Sequence, residues 1–171
     1  AVTTIACPTF LRWSFLIGSI PNKPIVFVKN ANDVRVRLLT VDGRGFGNIN
    51  YRFMGVAYWN AGGHLTDVDV KGMRDTPLSP YAHGYGVYVN NSNDGPYSVE
   101  VGNVHVTDYQ SSGINLFGIG LTANVHDCST VGQGPTSVVI QNGIVFAGGA
   151  AGTLTDCSIS DVRFTGSSSF T

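Results

Sequence analysis

The sequence predicts an all-β fold, a right-handed parallel β-helix (solenoid) of about five coils with an N-terminal cap. Residues 1–24 are assigned to the cap and residues 25–171 to the parallel β-helix. Three observations predict this: an apolar triplet of fixed spacing that recurs along the chain, a Gly-led strand that accompanies it, and connections built from turn residues.

The triplet comes first because its spacing carries the geometry. Apolar residues stand at offsets 0, 3 and 5 in five places: Val36, Leu39, Val41; Leu65, Val68, Val70; Val101, Val104, Val106; Val125, Cys128, Thr130; and Leu154, Cys157, Ile159. Their starts are 29, 36, 24 and 29 residues apart. Positions 3 and 5 alternate as a strand requires, but the step from 0 to 3 does not, so a one-residue corner must intervene if all three side chains are to point inward. Asp67, Asn103, Asp127 and Asp156 stand at that corner. Asp and Asn tolerate the left-handed conformation and bond their own backbone, as a tight corner needs.

The companion strands lie upstream of each later triplet: Gly55-Val56-Ala57-Tyr58, Gly86-Val87-Tyr88-Val89, Gly113-Ile114-Asn115-Leu116 and Gly143-Ile144-Val145-Phe146. Ile25 to Val28 holds the same place before the first triplet, without the Gly. Two strands per repeat in constant order describe a chain winding into coils, and parallel connections of this kind are overwhelmingly right-handed. A βαβ fold would need helical crossovers of about ten residues or more. The connections Asn90 to Pro96 and Gly132 to Pro135 are instead rich in Gly, Asn, Asp and Pro. Residues 1–24, with Phe10, Leu11, Trp13, Phe15, Leu16 and Ile17, have the apolar content to cover the first coil.

Composition narrows the function classes. Net charge is −1, which gives non-specific nucleic-acid binding no global support. Residues 1–74 hold nine of the ten Lys and Arg against four acids, a balance of +5, and the remainder balances to −6. In a solenoid that split becomes a basic end and an acidic end. Trp13 to Ile20 is too short to span a bilayer. Cys7, Cys128 and Cys157 show neither metal-ligand spacing nor a disulfide framework, and Cys128 and Cys157, sharing an inward column, read as buried apolar side chains.

Ile25 to Gly166 resembles the right-handed parallel β-helix repeat proteins of the pectate-lyase-like superfamily, and Val41-Asp42-Gly43-Arg44-Gly45 is similar to the Asp-Gly-x-Gly segment of that group's early coils. The resemblance implies an architecture shared by lyases, hydrolases, epimerases, tailspikes and non-catalytic modules, and polymeric sugars lying along a groove parallel to the stack. The Asn-Thr-Asp, Asp-Asp and Gly-His-Gly segments of polygalacturonases are missing, and Ala82-His83-Gly84 only approaches the last.

Chemistry is then sought on the outward side of adjacent coils. Offset 4 reads Thr40, Asp69, His105, Ser129, Ser158, so Asp69 and His105 become neighbours about 5 Å apart at their backbones. A carboxylate beside an imidazole prepares it for proton transfer. Asp69, Lys71 and His105 are therefore the candidate catalytic residues. Arg74, His83 and Tyr85 in the longest inserted loop, with Tyr88 and Asn115 facing outward from the companion strands, are the candidate substrate-binding residues. The expected function is a secreted or cell-surface protein acting on or binding an anionic polysaccharide, as a lyase or glycoside hydrolase if it is an enzyme. A non-catalytic, self-associating scaffold or glycan-binding module is the alternative, and an esterase built from Ser129, His105 and Asp69 is a lesser one. No metal or other cofactor is expected, with a calcium-binding ladder of corner carboxylates as the minor reading. Self-association is expected through the last coil, where Leu154, Ile159, Val162 and Phe164 precede a polar tail, Gly166 to Thr171.

Overall fold

A computed structural model describes residues 3–167; the last four tail positions and the first two of the cap lie outside the described residues. In chain order the strands are β1 (Thr3–Ala6), β2 (Phe15–Ile17), β3 (Ile20–Lys29), β4 (Val34–Asp42), β5 (Phe53–Trp59), β6 (Gly63–Met73) and β7 (Tyr85–Asn90). There follow β8 (Tyr97–Tyr109), β9 (Ser112–Phe117), β10 (Leu121–His126), β11 (Ser129–Val131), β12 (Asn142–Ala147), β13 (Ala151–Thr155) and β14 (Ser158–Ser160). No helix occurs among the described residues, and so none long and apolar enough to cross a membrane.

The chain passes back and forth between two sheets. The first has the order β1-β4-β6-β8-β10-β13, with β11 and β14 continuing its last two layers, and the second has the order β12-β9-β7-β5-β3-β2. Every pairing is parallel except the β2–β3 hairpin. The fold is thus all-β and solenoid-like, with each winding laid on the one before.

The triplet columns hold in register. Val36, Leu65, Val101, Val125 and Leu154 are successive partners, as are Val41, Val70, Val106, Thr130 and Ile159. Leu65, Val101 and Val125 are fully buried, whereas Leu154 and Ile159 in the last layer are 48% and 46% exposed. Between the columns the backbone turns left-handed at every coil, with φ of 57° at Leu38, 57° at Asp67, 50° at Asn103, 54° at Asp127 and 51° at Asp156. The pairing skips these residues: Arg37 meets Thr66 and the next pair is Leu39 with Val68.

Leu38 is the exception in chemistry, because its side chain can neither bond the corner backbone nor enter the core, and it is 62% exposed. A non-glycine residue in this conformation costs about 1–2 kcal/mol, which Asn recovers in part. Leu38→Asn is expected to stabilise the protein by about 1 kcal/mol. The check is a urea midpoint that rises while the slope of the transition stays constant; an unmoved midpoint would contradict it.

The glycines that lead the companion strands have a steric purpose. Gly55, Gly86, Gly113 and Gly143 stack in the second sheet opposite the Val70, Val106, Thr130, Ile159 column of the first. A Cβ on Gly55 would lie 2.5 Å from both the Gly86 carbonyl oxygen and a Val70 methyl, and one on Gly113 would lie 2.5 Å from a Thr130 methyl. The sheets converge here until only a hydrogen atom fits between them.

Within residues 1–24, β1 adds a layer to the first sheet by pairing Ile5 with Val41. Phe15 instead covers the outward side of the second sheet, its ring 5.0 Å from Phe27 and 4.5 Å from Trp59. The irregular segments are tied down by buried amides. Asn50 binds Leu11 N–H and the Thr9 and Phe46 carbonyls, Asn91 binds the Gly95 and Ile119 carbonyls, and Gln141 joins Gln133 N–H to the Tyr109 carbonyl.

Candidate functional site

Alternation places the side chains flanking each buried column on the outward face of the first sheet. The predicted column is in register there: Thr40, Asp69, His105, Ser129 and Ser158 are successive partners. Asp69 and His105 are both exposed. The His105 ring is hydrogen-bonded to Ser129, whose hydroxyl is 2.8 Å from Nδ1. Lys71 follows on the same face, with Nζ 3.7 Å from Asp42 Oδ2.

The other predicted residues are placed elsewhere. Tyr88 and Asn115 lie on the outward face of the second sheet, across the core; Tyr88 is 8% exposed, accepts a bond from Asn90 and packs against Tyr85 at 5.2 Å. Arg74 is engaged by β8 and by its own loop, with Nε 2.5 Å from Asp108 Oδ1 and a terminal nitrogen bonded to the Asp75 carbonyl and Thr76 hydroxyl. His83 is 1% exposed beneath Tyr51 and Tyr81, and donates from Nε2 to Asp75 Oδ2 at 3.1 Å. Burial holds this imidazole below its ordinary 6.5, against the opposing pull of Asp75.

Asp75 Oδ2 also accepts from Ser79 and from Gln110 Nε2, and Gln110 reaches the Tyr81 carbonyl as well, while its own oxygen accepts from Asp75 N–H. The inserted loop is thus anchored by a buried polar knot whose side chains face one another. Its arrangement is that of a support for the loop.

A second cluster on the first face lies outside the predicted column. One position before the buried column stand Arg35, His64, Glu100 and Asn124, in register on β4, β6, β8 and β10. His64 Nδ1 is 2.5 Å from Glu100 Oε2, and His126 Nε2 is 3.1 Å from Glu100 Oε1. His126 sits one position after the column and leans back across Gly102, where an added Cβ would lie 2.6 Å from the ring. Its Nδ1 reaches Asp127 Oδ2 at 2.9 Å. Beside this clamp opens a groove of about 510 Å³, lined by Asn32, Asp33, His64, Ser98, Glu100 and Asn124 together with Gly62, Gly63, Pro96 and Val99. The signal was present in the repeat: reading the positions on either side of offset 0, as well as offset 4, collects all three clamp residues.

Two hydrogen-bonding imidazoles hold the Glu100 carboxyl below its ordinary 4.5, and the Asp127 and Glu100 carboxylates hold His126 above its ordinary 6.5. A lowered acid stabilises the fold above its unfolded value and loses that contribution as pH falls through the folded one; a raised base contributes fully below its unfolded value and loses it as pH rises. Both contributions are therefore present between 4.5 and 6.5. The stability lost in Glu100→Gln is expected to be greatest in that window, as measured by denaturant unfolding across pH. Titration of His126 followed by NMR should move to lower pH in the same variant. A pH-independent difference would contradict the clamp.

Among the described residues no group of three or more His, Cys, Asp and Glu is arranged to hold a metal ion. At the corner, Asn103 donates to Asp67 at 2.8 Å, so an amide interrupts the carboxylates. Cys7, Cys128 and Cys157 are free thiols, and burial pushes Cys128 up to about 11. No family model matches the chain, and neither the curated proteins nor the solved structures yield a match.

Proposed function

We propose that this chain is a right-handed parallel β-helix of the pectate-lyase-like kind, secreted or at the cell surface, that holds an anionic polysaccharide along the outward face of its first sheet. The reading of the winding is supported by the left-handed Asp and Asn corners, the parallel register, and the strong preference of such connections for one hand. The observation that carries the function is the groove of about 510 Å³ opening beside ionisable side chains stacked along the winding axis. Its volume falls within the roughly 300–1,000 Å³ of small-molecule sites, and its lining mixes polar and apolar surface about equally, as the hydroxyls and ring faces of a sugar would require. Arg35 and Arg37 stand at the basic end of the same face, where a polymer's acid groups would find cations. Asp69, His105 and Lys71 are then proposed to act further along the bound chain.

Affinity electrophoresis through gels containing pectate, alginate, hyaluronan or chondroitin sulfate tests this, with dextran as the neutral control. Retardation by at least one acidic polymer, diminished by salt, is expected. Equal mobility in all the gels would reject the reading. Incubation with the retarding polymer, followed by reducing-end and ultraviolet-absorbance assays, then separates an enzyme from a binding module.

A further inference from the structure

Resting on the polysaccharide reading, we propose that Arg35 and His64 form a subsite for the carboxylate of an acidic sugar, and that the Asp33 side chain now occupies it as an internal competitor. The same Asp33 oxygen, Oδ1, lies 3.7 Å from an Arg35 terminal nitrogen and 3.4 Å from His64 Nε2. That is the setting a ligand carboxylate requires: a guanidinium on one side, an imidazole nitrogen on the other, and a groove behind. The side chains of Asp33 and Arg35 are 72% and 63% exposed, and a pair so exposed is weakly held, so it yields to a ligand that adds further contacts.

The imidazole is oriented for this role from behind. Glu100 accepts from Nδ1–H and fixes the ring with Nε2 toward the position of the Asp33 oxygen, where it donates to a carboxylate as the imidazolium. The negative charge of Glu100 lies on the far side of the ring and is itself engaged by His126, which Asp127 holds in turn. Asn32, Ser98 and Asn124 line the same groove and offer hydrogen bonds to ring hydroxyls. Arg35, Asp33, Glu100, His126 and Asp127 are thus the charged groups around His64, and Asp33 alone among them stands where a ligand acid would bind.

The test uses glucuronate and glucose, titrated into the whole chain with the imidazole signals followed by NMR. Glucuronate is expected to shift His64 and glucose to leave it in place. Asp33→Asn removes the competitor and should tighten glucuronate binding by about fivefold, while Arg35→Gln should weaken it by a similar factor. All three groups are at the surface, and circular dichroism verifies that the variants remain folded. An unchanged dissociation constant in Asp33→Asn, or equal binding of glucose, would overturn the subsite. The polymer gels fail independently: glucuronate binding without polymer retardation sinks the polysaccharide reading and leaves the subsite, and retardation without any effect of Asp33 or Arg35 does the reverse.

Discussion

Gly86→Val is expected to abolish cooperative folding, and Gly86→Ala to lower stability by roughly 3 kcal/mol, the upper part of the range for overpacking. A Cβ at Gly86 would press on a Val106 methyl and stand 2.6 Å from the Gly113 carbonyl oxygen. The methyl belongs to a side chain stiff at χ1, and the oxygen to the next strand of the sheet, so neither can withdraw cheaply. For a chain of 171 residues the Ala variant should melt about 6–12 °C lower. Adding Val106→Ala removes one of the two obstacles and is expected to recover part of the loss, a coupling that a double-mutant cycle would measure. Strict additivity of the two substitutions would show that the sheets do not meet here as described.

Gln110→Leu is expected to destabilise the protein by about 2 kcal/mol, because it orphans Asp75 N–H and removes one donor from Asp75 Oδ2 and from the Tyr81 carbonyl, which keeps His83 N–H, while the volume stays filled; a buried orphan costs about 1–3 kcal/mol. Its local effect should be larger than its global one. Gln110 belongs to the turn after β8 and is fully buried, yet its amide holds a loop 35 residues earlier in the chain. With that anchor gone, limited proteolysis between Thr76 and Ala82 should accelerate by about tenfold or more, since cleavage follows the population of the opened loop and about 1.4 kcal/mol is a factor of ten. Global unfolding with an intact, protease-resistant loop would contradict the role given to the amide.

The columns were legible in the sequence because each coil meets the same demand: Val101 must fit between Leu65 and Val125, so apolar residues repeat. The corners were legible where Asp or Asn filled them and silent at Leu38, whose side chain gives no sign of a left-handed backbone. Gly86 was visible as part of a motif, but its purpose lies in the opposite sheet and needs the distance between them. At the site, Asp69 and His105 are backbone neighbours on adjacent strands because register alone decides it. Arg74 and His83 were read as binding groups of the inserted loop, and their engagement with Asp108 and Asp75 was not legible, since burial and hydrogen bonding around an insertion depend on partners that no period reveals. His126 escaped the reading, because its ring crosses Gly102 to reach a carboxylate diagonal to it.

The buried amides acquire another meaning when the chain is considered while still folding. A solenoid of similar coils faces an ambiguity: the left-handed corners recur in every coil, and the glycine column, Gly55, Gly86, Gly113 and Gly143, in all but the first, so they fix alignment within a layer and distinguish the later layers poorly. Asn50, Asn91, Gln110 and Gln141 do not repeat; each closes a different segment through partners found only there. They act as addresses. A coil laid on the wrong neighbour would satisfy its apolar columns and leave one of these amides buried without its carbonyl, a penalty felt before the next coil is added. The order of the stack is therefore written in its irregular segments, and shuffling coils while keeping their strands intact would scramble the protein even though every core contact could be reproduced.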